Sequence, residues 1–468
     1  MVMIIDSIFE IFNNEQIGFF VNSSNVIKSD MRLDSSHFLD KSDISVNENL
    51  QFLPLINFIE DIKEPTLFTR IYCDEKYGVP YISSSEMSDI EPPITSRFIS
   101  IKLTNNINQY IIKRGQILVS AAGTVGSIVV ATEKLNGVAG TSDILRINVD
   151  TETNLGFVFT YLTSSFGASE LENLAYGAII KRIRGFQLAE LKTPIIPLET
   201  ILKLNELIKS ALNTRDQANK LIDLSRSHTY KINNLPTLFA ENNSPLSRET
   251  NINEFTDDYR LDAHFYNPIA KKAIKNIEEN SSNFLKLKNG VSEKVFYLNR
   301  FTRTFVEKGF GIPYMAGKDI IKIKPSDVKY LSYTETSNLD EYKLNTGWIL
   351  MTCSGTLGRT CYVYKNYENW VGTHDLIRIV ATSNVDSGYL YAFLSSDYGY
   401  YQAMRFKHGA VIDHLTPEQV EEITIPLPSE SQQKEIGDLV RQAYDLRAEA
   451  IRLEDEAQEL LTKELTKE

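Results

Sequence analysis

Several things that would place this chain in a familiar class are scarce or missing. Cysteine occurs three times in 468 residues, at Cys73, Cys353 and Cys361, and no two form a Cys-x-x-Cys pair. An odd count without that spacing argues against a disulfide framework and a zinc site, and points to reduced, buried thiols. No apolar run reaches the roughly 20 residues that a membrane-spanning helix needs. The N-terminal stretch is apolar but carries Asp6 and Glu10 and has no basic leader, so it does not read as a secretory signal. A cytoplasmic protein without membrane association is expected.

Catalytic signatures are missing too. No Walker-type Gly-Lys-Ser/Thr occurs, and no glycine-rich nucleotide loop follows a strand. The [Asp/Asn]-Pro-Pro-[Tyr/Phe] loop with which adenine methyltransferases hold a flipped base is absent. The nearest string, Asn267-Pro268-Ile269, lacks the second proline and the aromatic, and reads as a turn opening a helix over 268–279. Pro325-Ser326-Asp327 with Glu341-Tyr342-Lys343 departs from a nuclease pattern and reads as surface turns. The six histidines do not cluster; His37 and His264 each precede a Phe, which favours a structural role over metal binding. No metal, cofactor or catalytic residue is expected in this chain.

Net charge is −12, which at first counts against nucleic-acid binding. The acidity is concentrated at the ends. Residues 1–64 carry eleven acids and four bases, residues 429–468 eleven acids and six bases, and the intervening body is neutral. Within that body lie the basic clusters Lys181-Arg182-Ile183-Arg184 and Arg405-Phe406-Lys407-His408. Affinity of the isolated chain for DNA should therefore be weak.

What the sequence does have is a repeat. Gly115, Gly123, Gly126, Gly140, Gly156, Gly167 and Gly177 recur as Gly347, Gly355, Gly358, Gly372, Gly388, Gly399 and Gly409, each 232 residues on. The same offset links Thr141-Ser142-Asp143 to Thr373-His374-Asp375, Arg146-Ile147 to Arg378-Ile379, and Pro194 to Pro426. With small gaps the match extends upstream. Phe68-Thr69-Arg70 and Gly78-Val79-Pro80-Tyr81 answer to Phe301-Thr302-Arg303 and Gly311-Ile312-Pro313-Tyr314, and Arg32-Leu33-Asp34 answers to Arg260-Leu261-Asp262. Each unit of about 165 residues is the size of one domain.

The repeated glycines predict left-handed backbone or close chain approach. Between them, 116–120, 144–147, 348–352 and 376–380 read as strands, and 156–166 and 388–397 as short helices. The fold class expected is α+β, with two repeated domains. Their boundaries fall at 1–197, including an extension over 1–31 that packs on the first domain or a partner, and at 231–428.

After each domain the period changes. Residues 198–230 and 429–468 read as long helices. Leu204, Leu207, Ala211, Thr214, Ala218 and Leu221 in the first, and Ile436, Leu439, Ala443, Leu446, Ala450, Leu453, Ala457 and Leu460 in the second, alternate by three and four, as a heptad seam does. Chain connectivity predicts an antiparallel two-helix coiled coil separating the domains. Helices of roughly 45–55 Å would suit two half-sites about one turn of duplex apart, or slightly more.

These motifs, in the same order twice, resemble the specificity (S) subunits of type I restriction-modification systems. The marks are the Gly-x-Pro-Tyr strand, the Gly-x-Ile-Leu strand leading into a Gly-Thr-x-Gly loop, and the exit through Pro-x-Pro into a helix. The second exit, Pro426-Leu427-Pro428-Ser429-Glu430-Ser431-Gln432-Gln433, is the closer match; the first, Pro194-Ile195-Ile196-Pro197-Leu198-Glu199, lacks the glutamine. The resemblance implies a non-catalytic subunit whose domains each read half of a split, asymmetric site in double-stranded DNA. It implies helices that dock two adenine methyltransferase (M) subunits, which would bind S-adenosylmethionine, and a further restriction or translocase subunit as a partner. Type IIB-like enzymes use a similar S chain, and a protein-only interaction scaffold is the alternative of another class.

Residues that read bases should be polar in both copies yet differ, because the two halves read different sequences. Ser127 against Arg359 follows the Gly-Thr-x-Gly loop, which also holds Thr124 and Thr356. Ser142 stands against His374, and Lys181-Arg182 against Asp413-His414. Arg359, Lys181 and Arg182 are the leading DNA contacts, with Arg184, Arg405, Lys407 and His408 as phosphate contacts. The shared Thr141/Asp143 and Thr373/Asp375 are expected to fix their loops by side-chain-to-backbone bonds.

Overall fold

The computed structural model describes residues 47–466 except 48, 93–96, 123–125, 177–180, 239–259, 261, 263, 326–327, 337 and 410. The extension over 1–31 and the first Arg-Leu-Asp motif lie outside them. The described residues form two units. One draws on the described residues of 47–87, 97–209 and 454–466, the other on those of 88–92 and 210–453.

The first unit holds two four-stranded sheets. In one, Asp61–Lys63, Ile144–Asn148, Ile117–Ser120 and Ile128–Val130 lie side by side, all antiparallel. In the other, Tyr72–Cys73, Phe98–Ser100, Gly78–Ile82 and Ala139–Gly140 are neighbours, the last pair parallel. Ile117, Leu118 and Val119 are wholly buried, which is why this run is continuously apolar rather than alternating. A two-stranded ribbon pairs Phe52–Pro54 with Lys192–Pro194.

The second unit repeats this topology. Ser292–Phe296, Leu376–Ala381, Ile349–Thr352 and Thr360–Tyr362 form one sheet; Phe305–Val306, Lys329–Ser332, Gly311–Met315 and Val371–Gly372 form the other. The register repeats as well: Ile117↔Ile147 becomes Ile349↔Ile379, and Tyr81↔Ala139 becomes Tyr314↔Val371. The upstream Phe motif has a packing role in both. Phe68 lies 4.1 Å from Tyr110, and Phe301 lies 4.0 Å from Tyr342.

Strands stand where the sequence places them. The short helices are Leu155–Thr163 and Ser387–Leu394, and each is followed by a second that the pattern alone did not separate, Ser165–Leu174 and Asp397–Met404. Ser164 divides the first pair by accepting from the Gly167 N–H at 3.0 Å. Pro268–Asn280 is helical, with Asn267 as its cap: the side chain accepts from the Ile269 N–H at 3.0 Å.

The long helices are Leu198–Ile232 and Glu430–Thr466. They run antiparallel within each unit. In the first, Thr200 Oγ1 donates to Glu464 Oε2 at 3.2 Å; in the second, His228 Nδ1 lies 3.9 Å from Glu435. The seam is a heptad, but half of it differs from expectation. Leu204, Ala211 and Ala218 are buried, together with Ile208 and Ile222 rather than Leu207 and Leu221; Ile436, Ala443, Ala450 and Ala457 are buried with Val440 and Leu461 rather than Leu439 and Leu460. The alternate track runs through Arg215, Ser225, Arg447 and Glu454, whose polarity hid it from a hydrophobic pattern. Leu207, Leu221, Leu439 and Leu446 are half-buried on the flank, where Leu221 and Leu446 pack on the core of the second unit. Leu204, Ala211, Ile436, Ala443 and Leu453 are buried within this chain, so they set the helix packing and offer no surface to another subunit.

Small residues bring helices together where the repeat predicts it. A Cβ on Gly156 would overlap the Leu204 carbonyl of the first long helix, and one on Gly388 would lie 2.8 Å from Gly437 Cα of the second. No helix among the described residues is long and apolar enough to cross a membrane.

Candidate nucleic-acid interface

Three loops that the sequence singles out converge in each unit. In the first, Ala122, immediately before the Gly-Thr-x-Gly loop, forms a bridge with Arg182, which also bridges Tyr176. The Ile183 N–H donates to the Ala121 carbonyl at 3.0 Å, and the Ala121 N–H donates to the Asp143 carbonyl at 2.8 Å. Residues 121–122, 143, 176 and 182–183 are thus laced together by backbone bonds. In the second unit Ser354 bridges His414, His414 bridges His408, and the Leu415 N–H donates to the Cys353 carbonyl at 3.0 Å. The strand pair Thr352↔Leu376 brings in 373–375.

The side chains within these clusters differ in availability. Thr124 lies outside the described residues. Ser127 and Ser142 are half-buried, Thr356 is exposed, and Lys181 and Arg182 are exposed, with Arg182 3.5 Å from Asp143. Arg184 stands 3.4 Å from Glu64, at the start of the helix Gly185–Ala189. In the second unit His408 and His414 are exposed with ring centroids 6.4 Å apart, and Lys407 is 3.1 Å from Asp413. Between them, Val411 is 97% exposed.

One leading contact, Arg359, and one phosphate candidate, Arg405, are already engaged. Arg359 is half-buried and donates from its guanidinium to the Glu91 carbonyl, and Arg405 lies over the Phe265 ring at 4.0 Å. Phe265, next to the exposed His264, is the buried member of that His-Phe pair.

His374 is set apart by its surroundings. Its side chain is only 11% exposed, and neither ring nitrogen has a hydrogen-bond partner among the described residues. Burial, together with Arg303, Arg300 and Arg378, holds its pKa below the usual histidine value, against the opposing pull of Asp375 at 3.3 Å. It is a neutral ring in a positive neighbourhood, with free donor and acceptor capacity.

The first unit's counterpart of the His374 loop is not fixed by its threonine as expected. The Thr141 hydroxyl is buried without a hydrogen-bond partner among the described residues. The loops are held instead by backbone bonds: the Thr141 N–H donates to Ile82 O at 3.1 Å, and the Thr373 N–H to Met315 O at 2.9 Å. The second device is a buried arginine that the site reading overlooked. Arg378 is fully buried; it donates to the carbonyls of Leu376 and Gly372 at 3.0 Å each and to that of Thr373 at 3.3 Å. Its counterpart Arg146 donates to Ile111 O at 3.2 Å. Burial lowers both pKa values to about 10, so both stay charged at neutral pH. The available signal was a charge kept in an otherwise apolar strand of both copies.

Burial likewise pushes the Cys353 and Cys361 thiols up to about 11, away from thiolate chemistry. No group of three or more His, Cys, Asp or Glu among the described residues is arranged to hold a metal ion.

Comparison with known proteins assigns a family. The chain matches the type I restriction modification DNA specificity domain over residues 48–225 and again over 311–457. No curated protein matches it. Among solved structures it is similar to the type I restriction-modification S subunit from M. genitalium, at 15% identity and TM-score 0.33, covering 92% of this chain and 100% of that one. It is similar to the HsdS subunit from Thermoanaerobacter tengcongensis at 13% identity and TM-score 0.28, covering 92% and 99%. A chain from a structure of the type I R-M system, described in terms of complex assembly and conformational transition, is 14% identical with TM-score 0.27, covering 90% and 98%. With the specificity domain matched in two segments that together exceed half its length, the chain belongs to the type I restriction-modification DNA specificity family.

Proposed function

We propose that the chain is the sequence-reading subunit of a DNA adenine methylation or restriction complex, and that each unit reads one half of a split, asymmetric site. The observation that carries this is the convergence, in both units, of the same three loops on one scaffold with different polar residues at matching positions: Ser142 and Lys181-Arg182 in one, His374 and Asp413-His414 in the other. A shared backbone gives both halves the same approach to a duplex, and the differing side chains give them different base preferences.

The two long helices link the units and set the gap between half-sites, and their outward faces dock the methyltransferase subunits. Chemistry belongs to those partners, which bind S-adenosylmethionine; this chain supplies address and spacing. A restriction or translocase subunit joins the same complex. The test is co-expression with the adenine methyltransferase subunit of its system, followed by sequencing for N6-methyladenine. A single bipartite motif with a fixed gap is expected. A stable complex that methylates without any sequence preference would leave a protein-only scaffold as the better reading.

A further inference from the structure

We propose that Arg70 and Arg303 are a matched pair of DNA-backbone contacts, one per unit, that grip phosphate in the same way whatever bases lie beside them. This rests on the DNA-reading assignment above.

Each arginine is exposed and perched on a buried tyrosine. The Arg70 guanidinium lies 5.8 Å from the centre of the Tyr81 ring; that of Arg303 lies 5.9 Å from the centre of the Tyr314 ring, with Nη1 donating to the Tyr314 hydroxyl at 2.9 Å. Tyr81 and Tyr314 are 2% and 5% exposed, so each forms a fixed platform. Contact with it restrains the long side chain while leaving other guanidinium N–H groups free to donate.

The platform stands beside the variable loop. Tyr81 pairs in parallel with Ala139, and Tyr314 with Val371. Three residues further along those partner strands come Ser142 and His374. Proximity in the second unit is also electrical, since Arg303 and Arg300 both act on the His374 ring.

Two features favour phosphate over a base edge. First, the Arg-Tyr pair is the same in both units, whereas halves that read different bases must differ where they read them. Second, neither Arg70 nor Arg303 meets a carboxylate among the described residues, unlike Arg97, which also lies over Tyr81 but is paired with Glu86. An unneutralised, pre-oriented guanidinium suits bidentate contact with phosphate oxygens.

The test uses the assembled complex of the chain with its methyltransferase subunits. Fluorescence anisotropy is followed against salt, on a duplex carrying the methylated motif and on a scrambled duplex. Arg70→Ala and Arg303→Ala should each weaken binding to both duplexes by the same factor, lower the slope of log K against log salt by about one, and leave the methylated motif unchanged. Arg70→Lys and Arg303→Lys, which keep the charge, should retain the slope and guard against a folding defect in the alanine variants.

A wild-type slope in assembled alanine variants would overturn the proposal, and so would a changed base preference at one position, which would make these residues base readers. Intact DNA binding with weakened subunit assembly would also overturn it, by assigning the arginines to a protein partner. If the wild-type complex itself fails to distinguish the two duplexes, the DNA-reading assignment falls instead.

Discussion

The Arg226 guanidinium stands 2.6 Å from the Glu91 carboxylate, within the second unit. Burial alone would lower the Arg226 pKa, but Glu91 reverses that and holds it above the ordinary arginine value. The same carboxylate lies 3.6 Å from the half-buried Arg447, and the Glu91 carbonyl accepts from Arg359. One glutamate thus neutralises an arginine from each long helix. Glu91→Gln removes the charge, leaving Arg447 without that carboxylate and Arg226 with only Asp223 at 3.9 Å among the described carboxylates. Because Glu91 retains 23% side-chain exposure, the lower end of the range for breaking a buried pair applies, about 3 kcal/mol. Urea denaturation should show this loss; an unchanged midpoint would mean that water screens the cluster.

Gly388 and Gly437 are expected to tolerate no side chain. The Gly388→Ala methyl would press on the backbone of the second long helix. Overpacking of this kind costs about 1–3 kcal/mol, and it should appear as a lowered thermal midpoint. A midpoint equal to wild type would show that the contact is looser than the geometry implies.

Arg378→Met should loosen the loop at residues 372–375. Loss of its donors strands buried carbonyls, at roughly 1–3 kcal/mol for one left unsatisfied. Hydrogen exchange at the amides of Gly372 to Asp375 should accelerate more than in the adjoining sheet. Uniform exchange across the unit would reduce Arg378 to a general stabiliser.

The lowered pKa of His374 makes stability pH-dependent in a defined direction. Above the unfolded value near 6.5 the ring is neutral in both states and contributes no penalty. As pH falls through that value, the unfolded chain takes up a proton that the folded one resists, so stability declines until the folded pKa is passed. His374→Asn should flatten this part of the stability profile between about pH 7 and pH 5. Equal slopes for wild type and variant would contradict the assigned environment.

Much of this was legible in the sequence because a duplicated chain carries its own comparison. The 232-residue offset located the strands, the helices and the loops that the structure brings together. Small residues marked the close helix contacts correctly, since Ala211, Ala218, Ala443 and Ala450 are buried. The second track of the seam was hidden because Arg447 and Glu454 occupy apolar-looking positions only through neighbours remote in sequence. For the same reason Arg359 read as free: nothing local to it announces Glu91. Arg378 read as a strand residue because burial of an arginine against carbonyls depends on the whole sheet. The platform role of Tyr81 and Tyr314 required the register of the parallel strand pair.

Under the proposed function, different side chains on one repeated scaffold read different halves of a site. This reading is tested most directly by profiling N6-methyladenine across a genome for complexes carrying Lys181→Ala/Arg182→Ala or His374→Ala/His414→Ala. Each pair should relax bases in one half-site only, a different half for each, with the other half and the gap unchanged; removing a good base contact costs about 1–3 kcal/mol of discrimination. Relaxation of both halves by either pair, or an unchanged motif in both complexes, would contradict the account.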